Sequence, residues 1–209
     1  MKITWIGHSC FKVEDQGSSV VLDPYKDGSV PGLLPVREKA GMVLCSHGHG
    51  DHNAAQNVEI TDEPGNVFQV TKIKSYHDNK KGLLRGKNLI HILESGSFKI
   101  VHFGDIGCRL TPEQINLLTG ADAVMIPVGG HYTVDAAEAA QIVHAISPKL
   151  VIPMHFRSES FGFDVISTVE PFAAMFPGAE YRGSSEIILE KEPEKDSVSV
   201  VVLQPKNRA

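Results

Sequence analysis

Residues 46–52 read Ser-His-Gly-His-Gly-Asp-His and directly follow a short apolar run at 42–45. In an extended segment alternate side chains project to one side, so His47 and His49 converge, and Asp51 and His52 then turn toward a neighbouring point. Imidazole and carboxylate are ligands of zinc and similar divalent cations. With ten histidines in the chain, a fixed His-x-His-x-Asp-His pattern arises by chance in roughly one sequence of this length in a thousand. The expectation is a metal-binding loop at the end of a buried strand, and the fold must bring further ligands to it.

Three candidates occupy equivalent places. His77 follows a strand predicted to end at Tyr76, Asp105 follows the run 99–103, and His155 follows the run 150–153. Each lies just past the C-terminal end of a predicted strand, where open α/β sheets place their ligands. His131, in Gly-Gly-His-Tyr-Thr after the strand 123–127, is another strand-exit residue and a candidate catalytic proton donor or substrate contact, with Tyr132 beside it. Gly129 and Gly130 permit a close backbone approach there. Arg85, in Leu-Leu-Arg-Gly-Lys-Asn, is a candidate contact for an anionic substrate. His91 and His144 read as structural or surface residues, and His102 as a support for the Asp105 turn.

The remaining pattern is strand-rich at first: 2–6, 10–14 and 19–22, a long loop at 25–39, the run 42–45, then 67–76 and a hairpin of 88–93 with 98–103. A helix opens at Thr111, with Pro112 at its first position. Helices at 135–145 and 163–176 alternate with buried strands at 123–127 and 150–153. A hairpin of 185–189 with 197–203, closed by a charged turn at 190–196, ends the pattern. Strands first and α/β alternation later predict two packed sheets with helices outside, in one domain spanning 1–209.

Charged residues make up 22% and the net charge is −5, which excludes a disordered chain and weighs against a non-specific nucleic-acid binder. No apolar run reaches the ~18 residues of a membrane span. Three cysteines without CxxC spacing fit a reducing cytosol rather than a disulfide framework. The expected partner is a small-molecule substrate, with no membrane and no nucleic acid; a homo-oligomer stays open.

The order Asp23, His47-x-His49-x-Asp51-His52, His77, Asp105, His155 resembles the metallo-β-lactamase superfamily. The segments WIGHSCFKVE, HFGD, PVGGHYT and PMHF resemble its compact branch of uncharacterised metal-dependent hydrolases, related to ascorbate-6-phosphate lactonase. The resemblance implies an α/β (α+β) fold, the four-layer αβ/βα sandwich, with a binuclear metal centre on one edge. His47, His49 and His77 would hold one metal, Asp51, His52 and His155 the other, and Asp105 would bridge both. Zinc is the first expectation, and a donor set of imidazoles and carboxylates without thiolate also accepts manganese or iron. The implied enzyme is a hydrolase that uses a two-metal-activated hydroxide on a small, anionic ester, lactone or phosphoester. Asp51 has a double part in this reading, as ligand and as the group that orients the hydroxide or takes its proton. Asp23 would hydrogen-bond a ligand imidazole or tie down the histidine loop, and His8 would sit at the site rim as a substrate or supporting contact. The alternatives are a nuclease or phosphodiesterase acting on nucleic acid, like ribonuclease Z, and a non-catalytic metal-binding module. The acidic net charge weighs against the first and the intact ligand set against the second.

Overall fold

The computed structural model describes residues 1–190 and 197–209. In chain order the strands are β1 (Lys2–Gly7), β2 (Cys10–Asp15), β3 (Ser18–Leu22), β4 (Glu38–Ala40), β5 (Met42–Leu44), β6 (Val58–Ile60), β7 (Gln69–Tyr76), β8 (Lys87–Ser95) and β9 (Phe98–His102). Helices then alternate with strands: α1 (Pro112–Leu118), β10 (Ala123–Pro127), α2 (Ala136–Ile146), β11 (Leu150–Met154), α3 (Glu170–Ala173), β12 (Glu180–Tyr181), β13 (Glu186–Ile188) and β14 (Ser199–Val202).

A five-stranded sheet has the order β13-β1-β2-β3-β5, and a seven-stranded sheet the order β12-β14-β11-β10-β9-β8-β7. Strand directions decide where a site can form. β1 and β3 each run antiparallel to β2, and β3 runs parallel to β5, so β1, β3 and β5 all end on one edge of the first sheet. β9, β10 and β11 are mutually parallel, and β7 shares their direction because both β7 and β9 pair antiparallel with β8. The exits of seven strands therefore carry the loops in which all the candidate ligands lie. β10 and β11 are buried along their whole length, as central parallel strands must be. One continuous apolar core joins the sheets, with the Trp5 ring 5.3 Å from Phe156 and the Phe11 ring 6.0 Å from His102.

Local chemistry explains the elements that matched expectation. Thr111 and Gln114 form a reciprocal capping box at the start of α1, with Pro112 in its first turn, and Asp135 and Glu138 do the same for α2. Two expectations are corrected. The helix expected over 163–176 shrinks to Glu170–Ala173. Pro171 is tolerated only in a first turn, and the preceding run Val165-Ile166-Ser167-Thr168-Val169 is rich in β-branched residues that disfavour helix. The closing hairpin does not form. β13 pairs antiparallel with β1 in the first sheet, whereas β14 pairs parallel with β11 in the second. Of the charged turn at 190–196, residues 191–196 lie outside the described residues. The long loop at 25–39 contains the start of β4, which pairs with β6. Among the described residues no helix is long and apolar enough to cross a membrane.

Candidate metal centre

Three of the strand exits are made by residues in the left-handed region: His8 after β1 (φ 52°), Asp23 after β3 (φ 45°) and His155 after β11 (φ 53°). Such backbone is strained for a residue with a Cβ and persists where surrounding contacts over-determine it. Here it turns three polar side chains into the seam between the sheets, where each is at most 1% exposed.

Asp23 organises the histidine loop. Its Oδ1 accepts from the Ser46 N–H (2.6 Å), and its Oδ2 accepts from the Ser46 hydroxyl (2.6 Å) and from His52 Nδ1 (2.9 Å). With the proton fixed on Nδ1, His52 presents Nε2 to the centre, a carboxylate–histidine pairing typical of metal sites. Burial pushes the Asp23 carboxyl up, but the hydrogen bond from His52 and the charge of nearby imidazoles hold it at about 2. Replacing Asp23 with alanine strands three buried donors at ~1–3 kcal/mol each. Asp23→Ala is therefore expected to melt several degrees lower and to bind metal ~10–100-fold more weakly. Calorimetry with a metal titration checks this, and an unchanged melt and affinity would contradict it.

Two clusters surround Asp105. In the first, His47, His49 and His77 bring one ligand atom each within 4.8 Å of one another, with His47 Nε2 3.1 Å from His49 Nδ1. In the second, Asp51, His52 and His155 do the same together with His8. Asp105 Oδ2 lies between the two, 3.3 Å from His77 Nε2, 3.1 Å from His52 Nε2 and 3.3 Å from His155 Nε2, with His47 Nε2 at 3.9 Å. Asp105 is positioned by Asn88, whose Oδ1 accepts the Asp105 N–H and whose amide donates to the Phe103 carbonyl. His102 adds to this turn: its Nδ1 accepts the Gly104 N–H and its Nε2 donates to the Ser9 carbonyl. A side chain on Gly129 would collide with the His155 carbonyl, so glycine is needed for that close approach.

The donor set fits divalent cations. His52 Nε2, His155 Nε2 and Asp105 Oδ1 are buried without a hydrogen-bond partner, although the ring nitrogens sit within 3.1–3.3 Å of the Asp105 carboxylate. Unpaired buried polar atoms are rare and costly, and these converge on a common centre. Burial holds His47 down at about 3 and lowers His77, so both are neutral donors. His52 behaves differently: burial opposes its charge, but Asp105, Asp23 and Asp51 together hold its proton far above the ordinary histidine range. A cation placed among these carboxylates takes over the role of that proton.

The centre floors a cleft of about 400 Å³, walled by Arg85, Tyr132, Phe163 and Ser29. The Arg85 guanidinium lies 5.5 Å from the Tyr132 ring centroid. Its loop is framed by Asp78, whose carboxylate accepts N–H groups from Lys80, Gly82, Leu84 and Arg85. His131 is not brought in. It is exposed, at φ 56° in a tight turn where the Tyr132 and Thr133 N–H groups both meet the Gly130 carbonyl. That turn sends His131 outward and its neighbour Tyr132 to the cleft. His91 is buried beside His102 and Lys72 in the second sheet, and His144 stacks on Phe176 at the exposed face of α2. Asn88, Ser46, Asp78 and Phe163 escaped the sequence reading. An asparagine opening the apolar run Asn88-Leu-Ile-His-Ile-Leu93 was the one visible signal.

Two packed mixed sheets with a histidine–aspartate centre across their shared edge define a metallo-β-lactamase fold. The family profile described as beta-lactamase superfamily domain matches residues 2–155, and the chain belongs to that family. It is 30% identical to a solved metallo-beta-lactamase superfamily protein of Thermotoga maritima, with a TM-score of 0.75 over 97% of this chain and 99% of that one. It is 29% identical to a UPF0173 metal-dependent hydrolase of Thermoplasma acidophilum, over 79% of this chain and 86% of the relative. It is 25% identical to a UPF0173 metal-dependent hydrolase of Methanopyrus kandleri, over 75% and 84%. Fold, relatives and donor cluster make the chain a member of a family of metal-dependent hydrolases.

Proposed function

We propose that the protein hydrolyses a small anionic ester, lactone or phosphoester at a centre of two divalent cations, zinc by default. The observation that carries this reading is the placement of Asp105 Oδ2 between two separate donor clusters on the floor of a cleft of about 400 Å³. His47, His49 and His77 would hold one cation, Asp51, His52 and His155 the other, with Asp105 shared. Paired divalent cations supply an activated water and stabilise negative charge developing on the substrate.

The chain's own groups do the rest. Asp51 is partly open to the cleft, with its side chain 20% exposed. Burial pushes its carboxyl up, but the close approach of the His52 and His8 imidazoles outweighs this and holds it well below the usual carboxylate range. In this reading it orients the attacking water and accepts its proton. Arg85 has no carboxylate partner among the described residues, and the Tyr132 ring beneath it limits its freedom. It supplies the positive charge that an anionic substrate would meet. Phe163 and Tyr132, with rings 6.1 Å apart, give the apolar wall that excludes water.

Elemental analysis after metal reconstitution, with a screen of lactones, phosphodiesters and thioesters, tests the proposal. Two equivalents per chain and turnover of an anionic member are expected; a plateau at one equivalent under saturating metal would sink the two-cation reading. Arg85→Ala should keep its metals and raise KM for the anionic substrate ~10–100-fold, the loss of one charge-assisted hydrogen bond. An unchanged KM would remove Arg85 from substrate recognition.

A further inference from the structure

We propose that His8 is a further ligand of the second cation, beside Asp51, His52, His155 and the shared Asp105; this rests on the two-cation reading. His8 comes from the β1–β2 turn, far in sequence from the histidine loop. Its Nε2 is 3.3 Å from Asp51 Oδ2. Its ring centroid is 4.1 Å from that of His155 and 5.4 Å from that of His52. One ligand atom from each of His8, Asp51, His52 and His155 falls within 4.8 Å of the others.

Neither hydrogen bonding nor space filling accounts for His8 as well. As a hydrogen-bond donor it would aim an N–H at Asp51, yet neither ring nitrogen has a hydrogen-bond partner, and the 3.3 Å approach is not aligned as one. His52 Nε2 and His155 Nε2, the donors already assigned to this cation, show the same unpaired approach to a carboxylate. As a mere filler of the core, an imidazole only 1% exposed with two unmet polar atoms is a poor choice. The backbone is also held in place for a purpose that a filler does not need. The His8 carbonyl accepts the Trp5 indole N–H at 2.9 Å and faces the His155 N–H at 3.4 Å, and the residue keeps φ at 52°.

The consequence is an asymmetric centre. The first cation would have three imidazoles and the shared carboxylate, the usual tetrahedral set for zinc. The second would have three imidazoles and two carboxylates. Five donors suit cations of higher coordination number, so manganese or iron should compete with zinc better at the second position than at the first.

The test is a zinc titration against a chromophoric chelator, resolving the first and second equivalents in the whole protein. His8→Gly suits the left-handed backbone, and its apo-form melt checks that the fold is kept. His8→Asn, which also tolerates this φ, keeps an N–H for Asp51 but no imidazole. Both variants are expected to bind the first equivalent as the parent does and the second ~100-fold more weakly, at or beyond the top of the ~10–100-fold range for residues that only support a ligand. Added imidazole should restore the second equivalent in His8→Gly. The assignment is overturned if either variant binds the second equivalent within a few-fold of the parent. It is also overturned if His8→Gly causes no further loss in an Asp51→Asn background, because His8 would then act only through Asp51. A parent that binds one equivalent refutes the two-cation reading itself, which is a separate result from a variant that binds two.

Discussion

Stripping the reconstituted protein with a strong chelator is expected to abolish hydrolysis and to lower its melting temperature by roughly 8–16 °C for each cation lost. The figure follows from linkage. A ligand present at a thousand times its Kd stabilises the native state by about 4 kcal/mol, and a kcal/mol is worth about 2–4 °C in a chain of this size. The structural cause is the crowding of two carboxylates and five imidazoles at one largely buried centre, several of their polar atoms unpaired. Without cations, Asp105, Asp23 and Asp51 hold a proton on His52 in their place. Scanning calorimetry of the chelated and reloaded forms is the measurement, and equal melting temperatures would contradict the donor assignment.

The second large effect separates a ligand from a base. Asp51→Asn keeps the size of the side chain and one oxygen for the cation but removes the proton acceptor. If Asp51 only fixed the second cation, excess metal would restore the rate. The expected result is that kcat stays down ~10²–10⁴-fold, the usual contribution of a general base, with two equivalents bound on the same sample. Asp51 stands apart from Asp105 in its exposure to the cleft, which is what a proton acceptor for an incoming water requires. Full activity at two metals per chain would refute the base role. His131→Ala serves as the control, because His131 is exposed and belongs to neither donor cluster, so its loss should leave both metals bound.

Sequence reading picked out the residues that the fold brings together because they obey local rules. The histidine loop is a contiguous pattern, and His77, Asp105 and His155 each follow a recognisable strand. Topology could not be read the same way. Alternating apolar residues reveal that 186–188 and 199–202 are strands but not which neighbours they pair with, and they join different sheets. Supporting residues were hidden for another reason. Asn88 bonds backbone groups of the Asp105 turn and Ser46 bonds the Asp23 carboxylate, partners distant in sequence that no composition or spacing encodes. At 131–132 the difficulty was a single turn: one left-handed residue decides which of two adjacent polar side chains faces the cleft.

The centre draws its donors from both sheets: Asp51, His52 and the rest of the histidine loop follow a strand of the first, and His77, Asp105 and His155 follow strands of the second. Its dimensions are thus set by how the two sheets are seated on each other. The rings of Trp5, Phe11 and Phe156, none of them a metal donor, act as the spacer that fixes this seat. A slip of one ångström between the sheets would pull both clusters apart at once, because Asp105 belongs to both. Metal affinity in this protein is accordingly expected to be a gauge of inter-sheet registry.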